Sequence, residues 1–173
     1  DTKNVCLSYL GDGAVNQGQV YESFNMAALW HLPVIYVIEN NKYGMGTSVG
    51  RASAREALYQ MGSGMGIPGI LVDGMDVAAV MREGKEAADY ARENGPVILE
   101  METYRYRGHS MSDPAKYRSR DEVTKMREER DPIESLRAQA LAAGLMSEAE
   151  IKAMDQEVRA IVVEAAEFAQ QSP

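Results

Sequence analysis

A chain of 173 residues, 45% hydrophobic and 25% charged, has the length of one domain and enough apolar side chains for a core. Its formal net charge of −8 argues against general nucleic-acid binding and against adhesion to an anionic membrane, although one local basic cluster stands out. A single cysteine (Cys6) and two histidines exclude a disulfide framework, a cysteine-ligated zinc site and a His-rich metal site.

The chain opens at Asp1, not at a methionine, and enters an apolar run over 5–10 almost at once. That run reads as a mostly buried strand. A buried parallel strand needs neighbours on both sides, so the chain is expected to start mid-domain. Val20, Phe24, Ala27 and Ala28 then recur at helical spacing over 19–30. His31-Leu32-Pro33 stops that helix, because proline disfavours helix at the residue before it. His31 suits the negative end of a helix dipole and is assigned no chemistry.

Residues 33–38 form a β-branched strand that ends in Glu39-Asn40-Asn41, which completes a strand-helix-strand unit. A glycine-rich loop over 42–50, a short helix over 52–61 and a second loop over 62–69 follow. Residues 70–72 read as a short strand. Asp76 reads as the cap of a helix running to about Arg92, with Val77, Val80, Met81, Ala87 and Ala88 inward. Gly95-Pro96 breaks it, and 97–104 is the next strand. Residues 105–120 have no period and read as a basic loop. Pro132 begins a helix that ends near Gly144, and Ser147-Glu148-Ala149-Glu150 resembles a capping box for a long last helix. Along that helix Ile151, Met154, Val158, Ile161, Ala165 and Phe168 form a narrow apolar seam, suited to packing within the subunit or to a subunit contact. The expected fold class is α/β, a parallel sheet with helices on both faces, truncated at the N-terminus and followed by a helical tail. The expected segments are 1–104 for the α/β core, 105–130 for a basic active-site loop, and 131–173 for C-terminal helices packed on the same domain. No membrane span of about 20 apolar residues and no secretory leader is evident, so a cytoplasmic place is expected.

In open parallel sheets, ligands sit outside the carboxyl ends of strands. Two such ends carry unusual residues: Gly11-Asp12-Gly13 and Asn40-Asn41. A carboxylate and a carboxamide oxygen from neighbouring strand ends suit a hard cation such as Mg²⁺, which keeps phosphates in its shell. The glycines allow an anion to approach, and the amides near Gly13 and Ala14 can point at phosphate beside a helix N-terminus. Two alternatives stay open. One is a tight turn in which the glycines supply positive φ. The other is a dinucleotide fingerprint, with Glu39 on a ribose, although Asn16 stands where the third glycine belongs.

Gly-Asp-Gly followed by paired asparagines resembles the thiamine-diphosphate motif. The longer strings G-D-G-A-V-N-Q-G, N-M-A-A-L-W, E-N-N-K-Y-G-M-G-T-S-V, V-D-G-M-D-V and T-Y-R-Y-R-G-H-S-M-S-D-P are similar to one family over essentially the whole chain. It is the alpha subunits of the decarboxylating component of the pyruvate dehydrogenase complex. The resemblance implies thiamine diphosphate and Mg²⁺ as cofactors, with the metal held by Asp12, Asn41 and the Tyr43 carbonyl. It implies Gly11, Gly13 and Ala14 at the diphosphate, and His109 reaching the active centre from a loop. It implies oxidative decarboxylation of pyruvate with acetyl transfer to a lipoyl group. The implied partners are a beta subunit, in an alpha2beta2 heterotetramer that completes the site, and the lipoyl domain of the acyltransferase core. A branched-chain 2-oxo acid enzyme and an inactive assembly fragment are the alternatives.

The chain departs from that family in three respects. The family's N-terminal portion is missing, so the chain alone is expected to lack a complete site. Gly50 replaces a frequent glutamate. Ser48 and Ser110 match serines phosphorylated in mitochondrial members, while Lys116 falls near a third such position; these serines read as ordinary and the source as bacterial. Arg105, Arg107, Lys116, Arg118 and Arg120 read either as a solvated loop or as a clamp for a lipoyl domain or substrate carboxylate.

Overall fold

A computed structural model describes residues 3–172. Asp1, Thr2 and Pro173, which close the expected segments 1–104 and 131–173, lie outside the described residues. The chain divides into two compact units, Asp1–Asp131 and Pro132–Pro173.

The first unit carries strand β1 (Cys6–Gly11), helix α1 (Gly18–Leu29), strand β2 (Val34–Asn40), and a small antiparallel ribbon of β3 (Tyr43–Gly44) and β4 (Thr47–Ser48). Helix α2 (Val49–Ala52), strand β5 (Gly69–Asp73), helix α3 (Val77–Asn94), strand β6 (Val97–Glu102) and helix α4 (Arg120–Arg130) follow. The main sheet has the order β1-β2-β6-β5, all parallel. This is the expected α/β class, with helices on both faces. On one face Val20, Phe24 and Ala27 of α1 join Tyr36, Ile38 and Ile98. On the other, Ala87 and Ala91 of α3 join Ile35, Val37, Val97 and Leu99. Burying each large apolar side chain contributes roughly 1.5–3 kcal/mol, and β2 and β6, lined on both faces, carry most of it. Asp76 caps α3 as expected, its Oδ1 accepting from the Ala78 and Ala79 amides at 2.9 and 3.2 Å.

Three sequence readings need correction. β1 is not mostly buried. Among the described residues it pairs only with β2, and Leu7 and Tyr9 are 52% and 61% exposed. Pleating places Leu7 and Tyr9 together, where with Val5, Ile35 and Val37 they line an apolar groove of about 450 Å³. The helix expected over 52–61 is instead α2, which ends where Ser53 turns extended, and a 3-10 turn at Leu58–Gln60. Leu58 is the one fully buried large side chain in that window, too little for a helical stripe. Conversely, 120–130 is helical. Its start was legible as Ser119-Arg120-Asp121-Glu122, and Ser119 Oγ accepts from the Glu122 amide at 3.1 Å. The helix buries no residue, so it shows no apolar period.

The second unit holds α5 (Pro132–Ala142) and α6 (Glu148–Gln171). Gly144 supplies a left-handed turn at φ 64° between them, and Ser147 with Glu150 forms the expected capping box. An Arg137–Glu148 ion pair at 2.6 Å ties the two helices together. In the seam of α6, Met154, Val158, Ile161 and Phe168 are each more than half exposed.

Candidate functional site

Register brings the two unusual strand ends side by side, because Gly11 of β1 pairs with Glu39 of β2. Neither Gly11 nor Gly13 has positive φ, and Gly13 sits at φ −75°, ψ −35°. Positive φ is therefore not what these glycines supply to the turn. What they provide is space. A Cβ built on Gly11 would meet nothing within 4 Å. A Cβ on Gly44 would press to 3.3 Å from the Gly13 Cα and lie 3.8 Å from Asp12 Oδ2. The Gly-Asp-Gly turn thus rests against Tyr43-Gly44, where a side chain at 44 would crowd Gly13 and approach the Asp12 carboxylate.

Asp12 is buried, at 4% exposure. Burial is the main influence on its carboxyl and raises its pKa above the usual carboxylate range. The lowering influences are smaller: its own backbone N–H, then the charges of Arg105, Lys42 and Arg118. Ala14 opens a 3-10 turn, Ala14–Asn16, that precedes α1. This turn separates the glycines from the helix start at Gly18, unlike a dinucleotide fingerprint, and Asn16 bonds Ser53 Oγ at 2.9 Å. Glu39 and Asn40 are consecutive in β2 and so point to opposite faces, and Glu39 joins Tyr9 and Val37 at the apolar groove.

At the end of β2 the two asparagines divide their work. Asn40 is fully buried; its Nδ2 donates to Glu100 Oε1 at 2.6 Å and its Oδ1 accepts from the Lys42 amide at 2.9 Å. Lys42 adopts a left-handed conformation at φ 71°. Asn41 is half-buried, and its Oδ1 is inaccessible to water and bonded to no group among the described residues. A buried carboxamide oxygen without a donor is costly unless a cation or donor meets it. With the desolvated Asp12 carboxylate at the end of the neighbouring strand, this oxygen makes a donor set that fits a hard divalent cation with oxygen ligands. No three His, Cys, Asp or Glu side chains converge as a metal cluster among the described residues, so any such ion must draw on amide and carbonyl oxygens. The Tyr43 carbonyl already accepts from Arg105 Nη1 at 3.2 Å, and its second lone pair is the one open to a metal.

His109 is exposed, and no bond to its ring is present among the described residues. Its backbone N–H donates to Asp113 Oδ2 at 2.8 Å. Asp113 also accepts from the Ala115 amide at 2.9 Å and from Tyr117 Oη at 2.6 Å. These donors, Tyr117 first, lower its pKa to about 2. The basic cluster splits into two groups. Arg105 binds the Met45 carbonyl at 2.6 Å and Tyr117 Oη at 2.7 Å. Arg118, with a side chain 4% exposed, donates to the Asn41 carbonyl at 2.6 Å and to the Arg105 carbonyl. Its guanidinium lies 4.9 Å from the Tyr43 ring centroid and 4.1 Å from that of Tyr104. Burial first, then its bond to Glu122, pushes Tyr104 up to about 12. Arg105 and Arg118 therefore pin the loop to the end of β2 and are not free for a partner, while Arg107, Lys116 and Arg120 remain exposed. The sequence reading named Arg105 and Arg118 as part of a basic cluster but not as pins, and Asp113 and Glu100 escaped it; the one visible signal for the latter was a charge inside an apolar strand.

The sequence profile of the family described as "Dehydrogenase E1 component" matches residues 1–173. The chain is 63% identical over 171 residues to the pyruvate dehydrogenase E1 component subunit alpha of Rhizobium meliloti (strain 1021), covering 98% of this chain and 49% of that protein. It is 57% identical over 174 residues to the subunit of the same name from Rickettsia conorii (strain ATCC VR-613 / Malish 7), covering 100% and 53%. It is 52% identical over 170 residues to the mitochondrial subunit of Solanum tuberosum, covering 98% and 43%. The chain thus spans about half the length of the curated relatives it matches.

Proposed function

The chain belongs to the dehydrogenase E1 component family, and on that premise we propose that it forms part of a pyruvate dehydrogenase E1 alpha subunit. In this reading the subunit takes part in Mg²⁺- and thiamine-diphosphate-dependent oxidative decarboxylation of pyruvate, with the acetyl unit passed to a lipoyl group. The observation that carries it is the buried Oδ1 of Asn41, bonded to no group among the described residues, just past the end of β2, whose paired strand β1 ends just before the buried Asp12. Asp12, Asn41 and the Tyr43 carbonyl hold the magnesium. Gly11, Gly13 and Ala14 leave room for, and donate amides to, the diphosphate. His109 stands on the neighbouring loop, where it can donate to the diphosphate or to substrate. Bound thiamine diphosphate supplies the nucleophilic carbon and the electron sink that this chemistry requires.

The protein's part is to position and to balance charge. One carboxylate against a divalent ion leaves net positive charge, which suits a diphosphate. Arg118 fixes the Asn41 backbone, and Arg105 and Asp113 hold the loop that bears His109. A beta subunit, in an alpha2beta2 assembly, completes the site, and a lipoyl domain accepts the acetyl unit. The relatives named as pyruvate dehydrogenase subunits favour pyruvate over a branched-chain substrate. The bacterial relatives support a cytoplasmic place. Titration of the full-length alpha–beta assembly with Mg²⁺ and thiamine diphosphate tests this reading. Asp12→Ala lowers cofactor affinity by about 100-fold and abolishes turnover; normal binding and turnover in that variant overturn the proposal. Decarboxylation by the 173-residue chain alone rejects the need for partners.

A further inference from the structure

Glu100 sits in the middle of β6, a strand with no use for a carboxyl group in packing terms. It is 1% exposed, on the face of β6 that also carries the buried Ile98. Both of its oxygens are committed: Oε1 accepts from Asn40 Nδ2 at 2.6 Å, and Oε2 accepts from the Tyr59 backbone N–H at 2.8 Å. Asn40 in turn uses its Oδ1 to accept the Lys42 amide at 2.9 Å, and its backbone carbonyl accepts the Thr103 amide at 2.9 Å. An asparagine amide can rotate by half a turn and exchange its oxygen and nitrogen. Only the orientation in which Nδ2 faces Glu100 presents Oδ1 to Lys42. That contact closes the turn in which Lys42 is held at φ 71°, a conformation non-glycine residues seldom adopt without support. Asn41, one residue before it, carries the buried Oδ1 that has no bonded partner among the described residues.

We propose that Glu100 is a positioning residue for the metal site: by fixing the orientation of the Asn40 amide it sets the 40–42 turn and aims Asn41 Oδ1 at the cation beside Asp12. The inference rests on the reading of Asp12 and Asn41 as metal ligands. It adds a relay that runs from the sheet interior to the ligand without touching the ion. Groups of this kind, hydrogen-bonded to or behind a ligand, commonly alter metal affinity by 10–100-fold when changed.

The donor and acceptor roles can be exchanged. Glu100→Gln keeps the shape but places an NH2 against either Tyr59 N–H or Asn40 Nδ2, a donor facing a donor. In the double variant N40D/E100Q, the carboxylate at 40 accepts from both Lys42 N–H and the amide at 100, whose oxygen accepts Tyr59 N–H. The test is Mn²⁺ affinity of the full-length alpha–beta assembly with thiamine diphosphate present, read by the loss of the free-ion electron paramagnetic resonance signal. The metal-free unfolding midpoint is measured in parallel. E100Q weakens Mn²⁺ binding about 10-fold or more, and N40D/E100Q returns it to within about threefold of wild type. Affinity within twofold of wild type in E100Q overturns the proposal. So does a double variant that still binds Mn²⁺ poorly, with or without a recovered midpoint. Asp12→Asn separates the two readings: unchanged Mn²⁺ affinity there means the metal site itself is misplaced, whereas its loss alongside an unaffected E100Q removes only the role of Glu100.

Discussion

Asp12 and Asp113 flank the same strand-end region and could hardly be treated more differently by the fold. Asp113 is saturated: two backbone amides and a tyrosine hydroxyl meet its oxygens, and its pKa falls to about 2. Asp12 is buried at 4% exposure and has a raised pKa, set mainly by desolvation. The first carboxylate is a structural staple that has its donors already. The second is placed where ionisation is less favourable than in water, which suits a residue whose counter-charge arrives with a ligand.

The largest expected effect breaks that comparison directly. Asp12→Asn should reduce metal-dependent cofactor affinity about 100-fold in the full assembly by calorimetric titration, and should raise the metal-free unfolding midpoint by about 3 °C. The sign follows from linkage. A carboxyl with a raised folded pKa binds more protons folded than unfolded, so metal-free stability falls as pH rises through the window between the two values. A lowered midpoint in Asp12→Asn would make Asp12 a staple of the Asp113 kind.

Next is Arg118, which serves both regions. Arg118→Met strands the Asn41 and Arg105 carbonyls and should cost about 2–3 kcal/mol in denaturant unfolding of the chain. Arg118→Lys should recover little, because an ammonium cannot reproduce the planar stack between Tyr43 and Tyr104. Full recovery by lysine would reduce Arg118 to a point charge. Smaller still is Asp113→Asn, which should raise hydrogen exchange at the His109 and Ala115 amides several-fold. In wild type the protection should be complete above about pH 4 and lost as pH falls toward about 2, since its folded pKa lies below the unfolded one. Protection unchanged at pH 2 would mean Asp113 is not the staple. Smallest and most distant is Ser147→Ala, which should cost α6 about 1 kcal/mol through loss of its capping box, measured by thermal melting.

The sheet and its two flanking helices were readable because β2 and β6 open on short apolar runs, 34–38 and 97–99, and α1 and α3 carry caps, stops or clear periods. β1 was misjudged because an apolar run does not reveal how many neighbours a strand has, and among the described residues it has one. α4 was missed because it buries nothing, although its Ser119–Glu122 cap was in plain view. At the site, Asp12 and Asn41 were legible as residue types at neighbouring strand ends. The division of labour between Asn40 and Asn41 was not, since it depends on Glu100, 60 residues away and joined only by the sheet. The same holds for Arg105 and Arg118, which look like free surface charge in sequence and are pins in three dimensions.

The central claim is that Asp12, Asn41 and the Tyr43 carbonyl surround one divalent ion. Anomalous diffraction from Mn²⁺ with thiamine diphosphate in crystals of the full-length assembly tests it most directly. The account predicts a single peak about 2.1–2.3 Å from the Asp12 carboxylate, Asn41 Oδ1 and the Tyr43 carbonyl oxygen. A peak coordinated without Asp12 or Asn41 would contradict it.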